Sequence, residues 1–253
     1  MFVSQNRPAV HAAVLSFPVN QDVQKFIDAS VHDIISARYA HQPFGAFGKC
    51  AMYAIVGAQV LTLLTGRQCE AVCGGQIMDC GEGRSMIIAP GRQEIRQARH
   101  LSDLRMYHCW IQVYLPDEVV FDPVVVDFST RYDPQSAALF KIDFAAELQR
   151  DFIWCRLSDF DKPIPASLEA MYQRTGQRPA WLWRDARCEA LLKQFQQDNA
   201  AQFAAITSAV LLNFVHRIEI AMADSTTTST TTTTTTTTST STLVAPAASE
   251  YSF

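Results

Sequence analysis

KCAMYAIVGAQVLTLLT, from Lys49 to Thr65, is apolar or small at nearly every position. A helix apolar on all sides belongs in a protein interior, not on its surface. The stretch therefore predicts a central buried helix, which Gly66 is placed to end. Upstream, Asp22–Tyr39 sets Val23, Phe26, Ile27, Val31, Ile34 and Ile35 at helical spacing, predicting an amphipathic helix that stops near His41–Gln42–Pro43. Phe44 to Gly48 has the composition of a loop.

Downstream the pattern changes to short extended runs at Cys69–Cys73, Ser85–Ala89, Met106–Leu115 and Glu118–Val126. The last two are rich in β-branched and aromatic residues and flank Pro116–Asp117, which reads as a hairpin. The Gly- and Arg-rich stretch Asp79–Arg99 reads as an excursion at the sheet edge. Helical signals return in Ala137–Phe152 and Asp185–Met222. The expected fold class is thus α+β: a central buried helix packed on an antiparallel sheet, with additional C-terminal helices. We expect one domain over residues 1–222, with its core at 40–128 and a helical region at 137–222. Residues 225–242 are only Thr and Ser. Such a run has no apolar area to offset the entropy of ordering it, so 223–253 is expected to be a disordered tail.

The 253 residues are 48% hydrophobic and carry a formal net charge of -4, with a pI near 5.8. No broad cationic field is available for nucleic acid. No run of ~18 or more continuous apolar residues appears, so no membrane segment is expected. Residues 9–19 contain His11 and Pro18 and lack a basic start, so no signal peptide is expected either. Seven cysteines at irregular spacing suit reduced thiols and a cytoplasmic location. Oligomeric state is left open.

Three residues carry the chemical reading. Cys50 falls in the first turn of the buried helix, where free backbone N–H groups and the helix dipole favour a thiolate and can also receive an oxyanion. Lys49 beside it adds positive charge. His108, in Tyr107–His108–Cys109–Trp110–Ile111–Gln112–Val113, shares a strand face with Trp110 and Gln112. An imidazole there can take the thiol proton and return it to a leaving group, and Trp110 can shield it from water. Asp122, after Val119–Val120–Phe121, is costly to bury unless paired, and a carboxylate on the second imidazole nitrogen would fix the tautomer. His108 directly opposes Asp122 if the turn centres on Leu115, with a loop of about three residues. Asp127 would oppose it through an Asp117–Glu118 turn, a pair poorly suited to positive φ. Asp122 is preferred, with Asp127 the alternative.

GKCAMYA, HCWIQVY and VVFDP, in that order, resemble the core of the transglutaminase-like and papain-like superfamily over roughly residues 40–128. The likeness rests on order, spacing and local pattern. It implies a Cys-His-Asp triad acting on a protein or peptide-like amide, by hydrolysis or acyl transfer, without a cofactor. A fold of this kind that has lost catalysis would instead be a binding module. Ala51 stands where an aromatic residue is common, and the Arg–Gly–Gly–x–Cys signature of arylamine acetyltransferases is absent. The papain-like oxyanion glutamine, carried over, falls on Gln42.

Other clusters carry less. Cys69, Cys73 and Cys80, with Cys109 or His100, match no paired zinc-ligand spacing, and no metal site is expected. Cys73–Gly74–Gly75 lacks the Gly–Lys–Ser/Thr ending of a phosphate loop. Arg84, Arg92, Arg96, Arg99 and Arg105 read as a solvated face, with an acidic partner surface as the alternative.

Overall fold

Helix α1, Gln21–Tyr39, begins at Asn20, whose side chain accepts the Val23 amide at 3.0 Å as an N-cap. Its Ile27, Val31 and Ile35 are fully buried, the face that the periodicity of Asp22–Tyr39 predicts. The computed structural model describes residues 19–114, 122–160, 163–164, 168 and 180–230. Helix α2 spans Cys50–Thr65 and ends at Gly66 in the left-handed conformation. Tyr53, Ile55, Val56, Val60 and Leu61 are all buried on it.

The sheet is antiparallel at every pairing. Its strands are β1 (Cys69–Gly81), β2 (Arg84–Ile88), β3 (His108–Val113), β4 (Val124–Asp127), β5 (Ile153–Arg156) and β6 (Leu182–Arg184). They lie in the order β2-β1-β3-β4-β5, with β6 also paired to β1. The architecture is α+β.

Contact between α2 and the sheet depends on a missing side chain. A Cβ on Gly57 would lie 2.6 Å from Ile111 Cδ1 and 2.8 Å from the Phe128 ring. Only a glycine lets the helix sit that low on β3.

Four expectations are corrected. Among the described residues the strands of the predicted hairpin are His108–Val113 and Val124–Asp127. Their pairing, Ile111 with Val126, Gln112 with Val125 and Val113 with Val124, is not the one a turn centred on Leu115 would give. Residues 115–121, where that turn was expected, lie outside the described residues. The run Ala137–Phe152 is not one helix. Helix α4 covers Asp133–Leu139, Lys141 then takes a positive φ of 57°, and the Ala145 amide bonds to Cys80 O at 2.9 Å. Ile142 and Phe144 thereby pack on Met78, Cys80 and Met86, so tertiary burial overrides the helical pattern. The Asp185–Met222 signal is two helices, α5 (Ala186–Asp198) and α6 (Ala200–Thr230), parted at Asn199. Helix α6 also takes in the first residues of the expected disordered tail, and residues 231–253 of that tail lie outside the described residues. A short helix, α3 (Arg92–Gln97), occupies the Arg-rich excursion, where Arg92, Arg96, Arg99 and Arg105 are exposed.

The chain divides into two units, Met1–Val215 and His216–Phe253. Within the described residues one helical segment, Ala200–Asp224, is long and apolar enough by length and composition to cross a membrane, with mean hydropathy 1.4 and 28% of its window buried.

Candidate active site

Gly48, at φ 72°, turns the chain into α2, whose N-terminus at Lys49 has no side-chain cap. Met52 N bonds to Lys49 O at 2.9 Å, which leaves the Cys50 and Ala51 amides for another acceptor. Cys50 is the first helical residue, half-buried, with its thiol directed at Tyr107 O, 3.8 Å away, and with Cys109 and His108 near enough to act on its ionisation. Lys49 is directed elsewhere: its ammonium sits 4.9 Å over the Tyr39 ring.

His108 opens β3 and is 5% exposed. Its Nε2 bonds to Asp127 Oδ2 at 2.8 Å, which leaves Nδ1 as the nitrogen for the thiol. Asp127 Oδ1 accepts from the Ser129 amide at 2.8 Å and the Ser129 hydroxyl at 2.7 Å, so both carboxylate oxygens are held. Trp110 stacks on the imidazole at 6.0 Å and 15° and is 1% exposed, where shielding from water requires it.

Ionisation follows this geometry. The neighbouring Cys109 thiol, against the opposing effect of burial and with help from the His108 imidazole, brings Cys50 down to about 6. Burial pushes His108 toward neutrality, but the Asp127 charge and the Cys50 thiolate outweigh it and raise His108 well above the usual histidine range. Burial also acts to raise Asp127, and the His108 charge with the Ser129 donors brings it below the ordinary value. The three residues favour thiolate, imidazolium and carboxylate together.

Asp122 is not part of this group. Its Oδ1 accepts the Ser158 amide at 2.9 Å and its Oδ2 the Ser158 hydroxyl at 2.8 Å, bonds that hold its carboxyl below the usual range. The register explains the correction. Continued toward the start of β3, it sets Trp110 opposite Asp127 and His108 opposite Ser129. Asp127 reaches His108 along a diagonal on one face, a pairing that a search for directly opposed residues misses.

Gln42 is also displaced from its expected role. It is exposed and serves the turn before α2 through backbone bonds to Tyr39 and Gly45. The cavity at Cys50, about 210 Å³, is lined instead by Gln76, with His108, Ser129, Tyr132 and Asp133. Gln76 is 8% exposed. Sequence reasoning had little chance of finding it, because it sits inside a strand amid apolar neighbours. Asp133 gave no signal beyond an ordinary helix start before Pro134. Burial and then the nearby Asp127 charge raise it to about 7, partly offset by His108 and Arg150. A larger hollow of about 830 Å³ between α2, β1, α5 and α6 contains no histidine.

No family model and no curated protein matches the chain. A solved structure titled as the crystal structure of a genomics target aligns over 76% of this chain and 78% of its own, at 14% identity and a TM-score of 0.37. That likeness is too slight to carry a fold or a function.

Proposed function

We propose that the chain is a thiol-dependent hydrolase or acyl transferase acting at an amide or isopeptide carbonyl of a protein or peptide-like substrate, with the transglutaminase-like and papain-like arrangement. The observation that carries this reading is the run Asp127–His108–Cys50, ending at an uncapped helix N-terminus beside an open cavity. Cys50 attacks the carbonyl carbon as its thiolate. His108, charged in the resting pair, gives its proton to the leaving amine and then withdraws one from the water or amine that releases the acyl group. Asp127 fixes the tautomer and balances the imidazolium. The Cys50 amide and the Gln76 carboxamide receive the oxyanion. Water as acceptor gives hydrolysis, which we take as the default. Seven free thiols suit a reducing, cytoplasmic setting for such a nucleophile.

Iodoacetamide labelling, resolved thiol by thiol across pH, tests the reading. Cys50 is expected to alkylate selectively, with a rate rising through about pH 6, and to lose that low-pH reactivity in His108→Ala. Equal labelling of all accessible thiols, or labelling of Cys50 only above pH 8, overturns it.

A further inference from the structure

The arginines that precede β3 have no task in the chemistry above. Arg92, Arg96, Arg99 and Arg105 are all exposed, and among the described residues no ion pair holds Arg96, Arg99 or Arg105. Two carboxylates lie in the same stretch, and both are bound to backbone. Glu94 accepts the Gly91 amide at 3.2 Å through Oε2 and the Arg105 amide through Oε1. Asp103 accepts the Arg99 and His100 amides at 2.8 and 2.9 Å through Oδ2. These bonds close residues 91–105 into a pinned turn just before β3. They also commit to amides the carboxylates nearest in sequence to the guanidinium groups. Arg105 borders the Cys50 cavity and, among the described residues, is the one Lys or Arg in its lining. The one carboxyl in the same lining is Asp133, which burial and then the Asp127 charge push up to about 7, so below that pH it does little to cancel Arg105.

We propose that Arg105, with Arg96 and Arg99 on the same pinned turn, selects acidic peptide segments for the Cys50 site: a substrate carboxylate near the scissile amide docks on Arg105, and further acidic residues of the same segment meet Arg96 and Arg99. The proposal rests on Cys50 being the reactive thiol of the proposed function, and it names the class of amide which that thiol meets. A guanidinium presents a planar fork of donors that matches a carboxylate in two parallel hydrogen bonds. Guanidinium groups gathered on one short turn repel one another, and an acidic partner relieves that repulsion. They also raise the local concentration of anions at the cavity mouth, an effect that falls as salt screens it. Nucleic acid fits the patch less well. Its affinity comes from neutralising many phosphates along a track, whereas these cations occupy one turn beside a cavity of about 210 Å³ on a chain whose formal net charge is -4. Arg105 is thus a specificity-determining residue: it acts on which substrate arrives, while Cys50, His108 and Asp127 act on the carbonyl.

Two alkylating agents with the same reactive carbon isolate the effect: N-(2-carboxyethyl)iodoacetamide, which carries a carboxylate, and N-ethyliodoacetamide, which carries none. The full chain is labelled with each at about pH 6 and low ionic strength, and Cys50 is followed in the tryptic peptide 50–67, where it is the only cysteine. The ratio of the acidic to the neutral rate is expected to fall about fivefold in Arg105→Gln and to shrink in wild type at about 0.5 M sodium chloride, where the screening length is roughly 4 Å. Arg84→Gln, which removes a charge already paired with Glu82, leaves the ratio at the wild-type value. Hexaglutamate in excess is expected to protect wild-type Cys50 from N-ethyliodoacetamide. A wild-type ratio that salt does not change, or protection by oligothymidylate and not by hexaglutamate, overturns the proposal whether or not the variant folds. So does a ratio that Arg105→Gln leaves unaltered. Any of these with selective low-pH alkylation of Cys50 intact removes this proposal alone, whereas loss of that selectivity in wild type removes the functional reading beneath it.

Discussion

Asp127 bonds to His108 at 2.8 Å from a position opposite Trp110, not opposite His108. The diagonal leaves Ser129 across from His108, where its amide and hydroxyl hold the other carboxylate oxygen. One strand end thus supplies both the partner of the imidazole and the clamp on that partner.

This arrangement separates the two aspartates experimentally. Asp127→Asn keeps the shape but removes the charge that sustains the imidazolium, and is expected to cut acylation of Cys50 by an activated ester such as p-nitrophenyl acetate by about 10²–10⁴. Asp122→Asn, which disturbs only the Ser158 turn, leaves that rate within about twofold of wild type, since surface changes away from such features are small. Equal losses in both variants contradict the assignment.

The pair also sets a pH window for stability. His108 is raised from 6.5, so its contribution is complete below that value and fades as pH rises through its folded-state value. Asp127 is lowered from 3.8, so its contribution is complete above that value and fades as pH falls through its folded-state value. Asp133 runs the other way: raised from 3.8 to about 7, it costs stability progressively as pH rises between those values and uniformly above them. Asp133→Asn is therefore expected to melt at the wild-type temperature near pH 4 and higher, on the order of 5 °C, at pH 8. A constant difference across that range removes the buried-carboxylate explanation.

Much of this molecule was legible in its sequence, for identifiable reasons. The helices around Ile27 and Val56 announced themselves because their apolar patterns serve burial alone. Cys50 and His108 were readable because each sits at an element boundary that local composition marks. Asp127 was readable only as the alternative to Asp122, because local composition does not mark the register that pairs Ile111 with Val126. Gln76 and Asp133 were invisible for a different reason: the fold brings them to Cys50 from β1 and α4, and neither segment carries a local sign of the other. The Ala137–Phe152 run misled because its apolar residues serve a sheet edge at Met78 and Met86.

Close approach of α2 to β3 carries its own test. In Gly57→Ala the new methyl group meets Ile111 and Phe128 well inside contact distance, and both are buried with little room to move. The helix must lift or the side chains leave their rotamers, at a cost of about 1–3 kcal/mol. Lifting the helix also draws Cys50 from His108, so alkylation below pH 7 is expected to fall even at temperatures where the variant is fully folded by circular dichroism. Loss of stability with unchanged Cys50 reactivity would show that helix depth and site alignment are independent.

Gln76 offers the sharpest separation of roles. Alkylation by iodoacetamide proceeds by displacement at carbon and develops no oxyanion, whereas acylation passes through a tetrahedral intermediate that does. If Gln76 donates to that oxygen, Gln76→Ala lowers acylation by p-nitrophenyl acetate about 10²-fold and leaves the iodoacetamide rate and its pH profile at wild-type values. A cavity enlarged by the lost side chain would raise access for both reagents and move the two rates together. Parallel changes in alkylation and acylation therefore assign Gln76 to the shape of the cavity, and divergence assigns it to the intermediate.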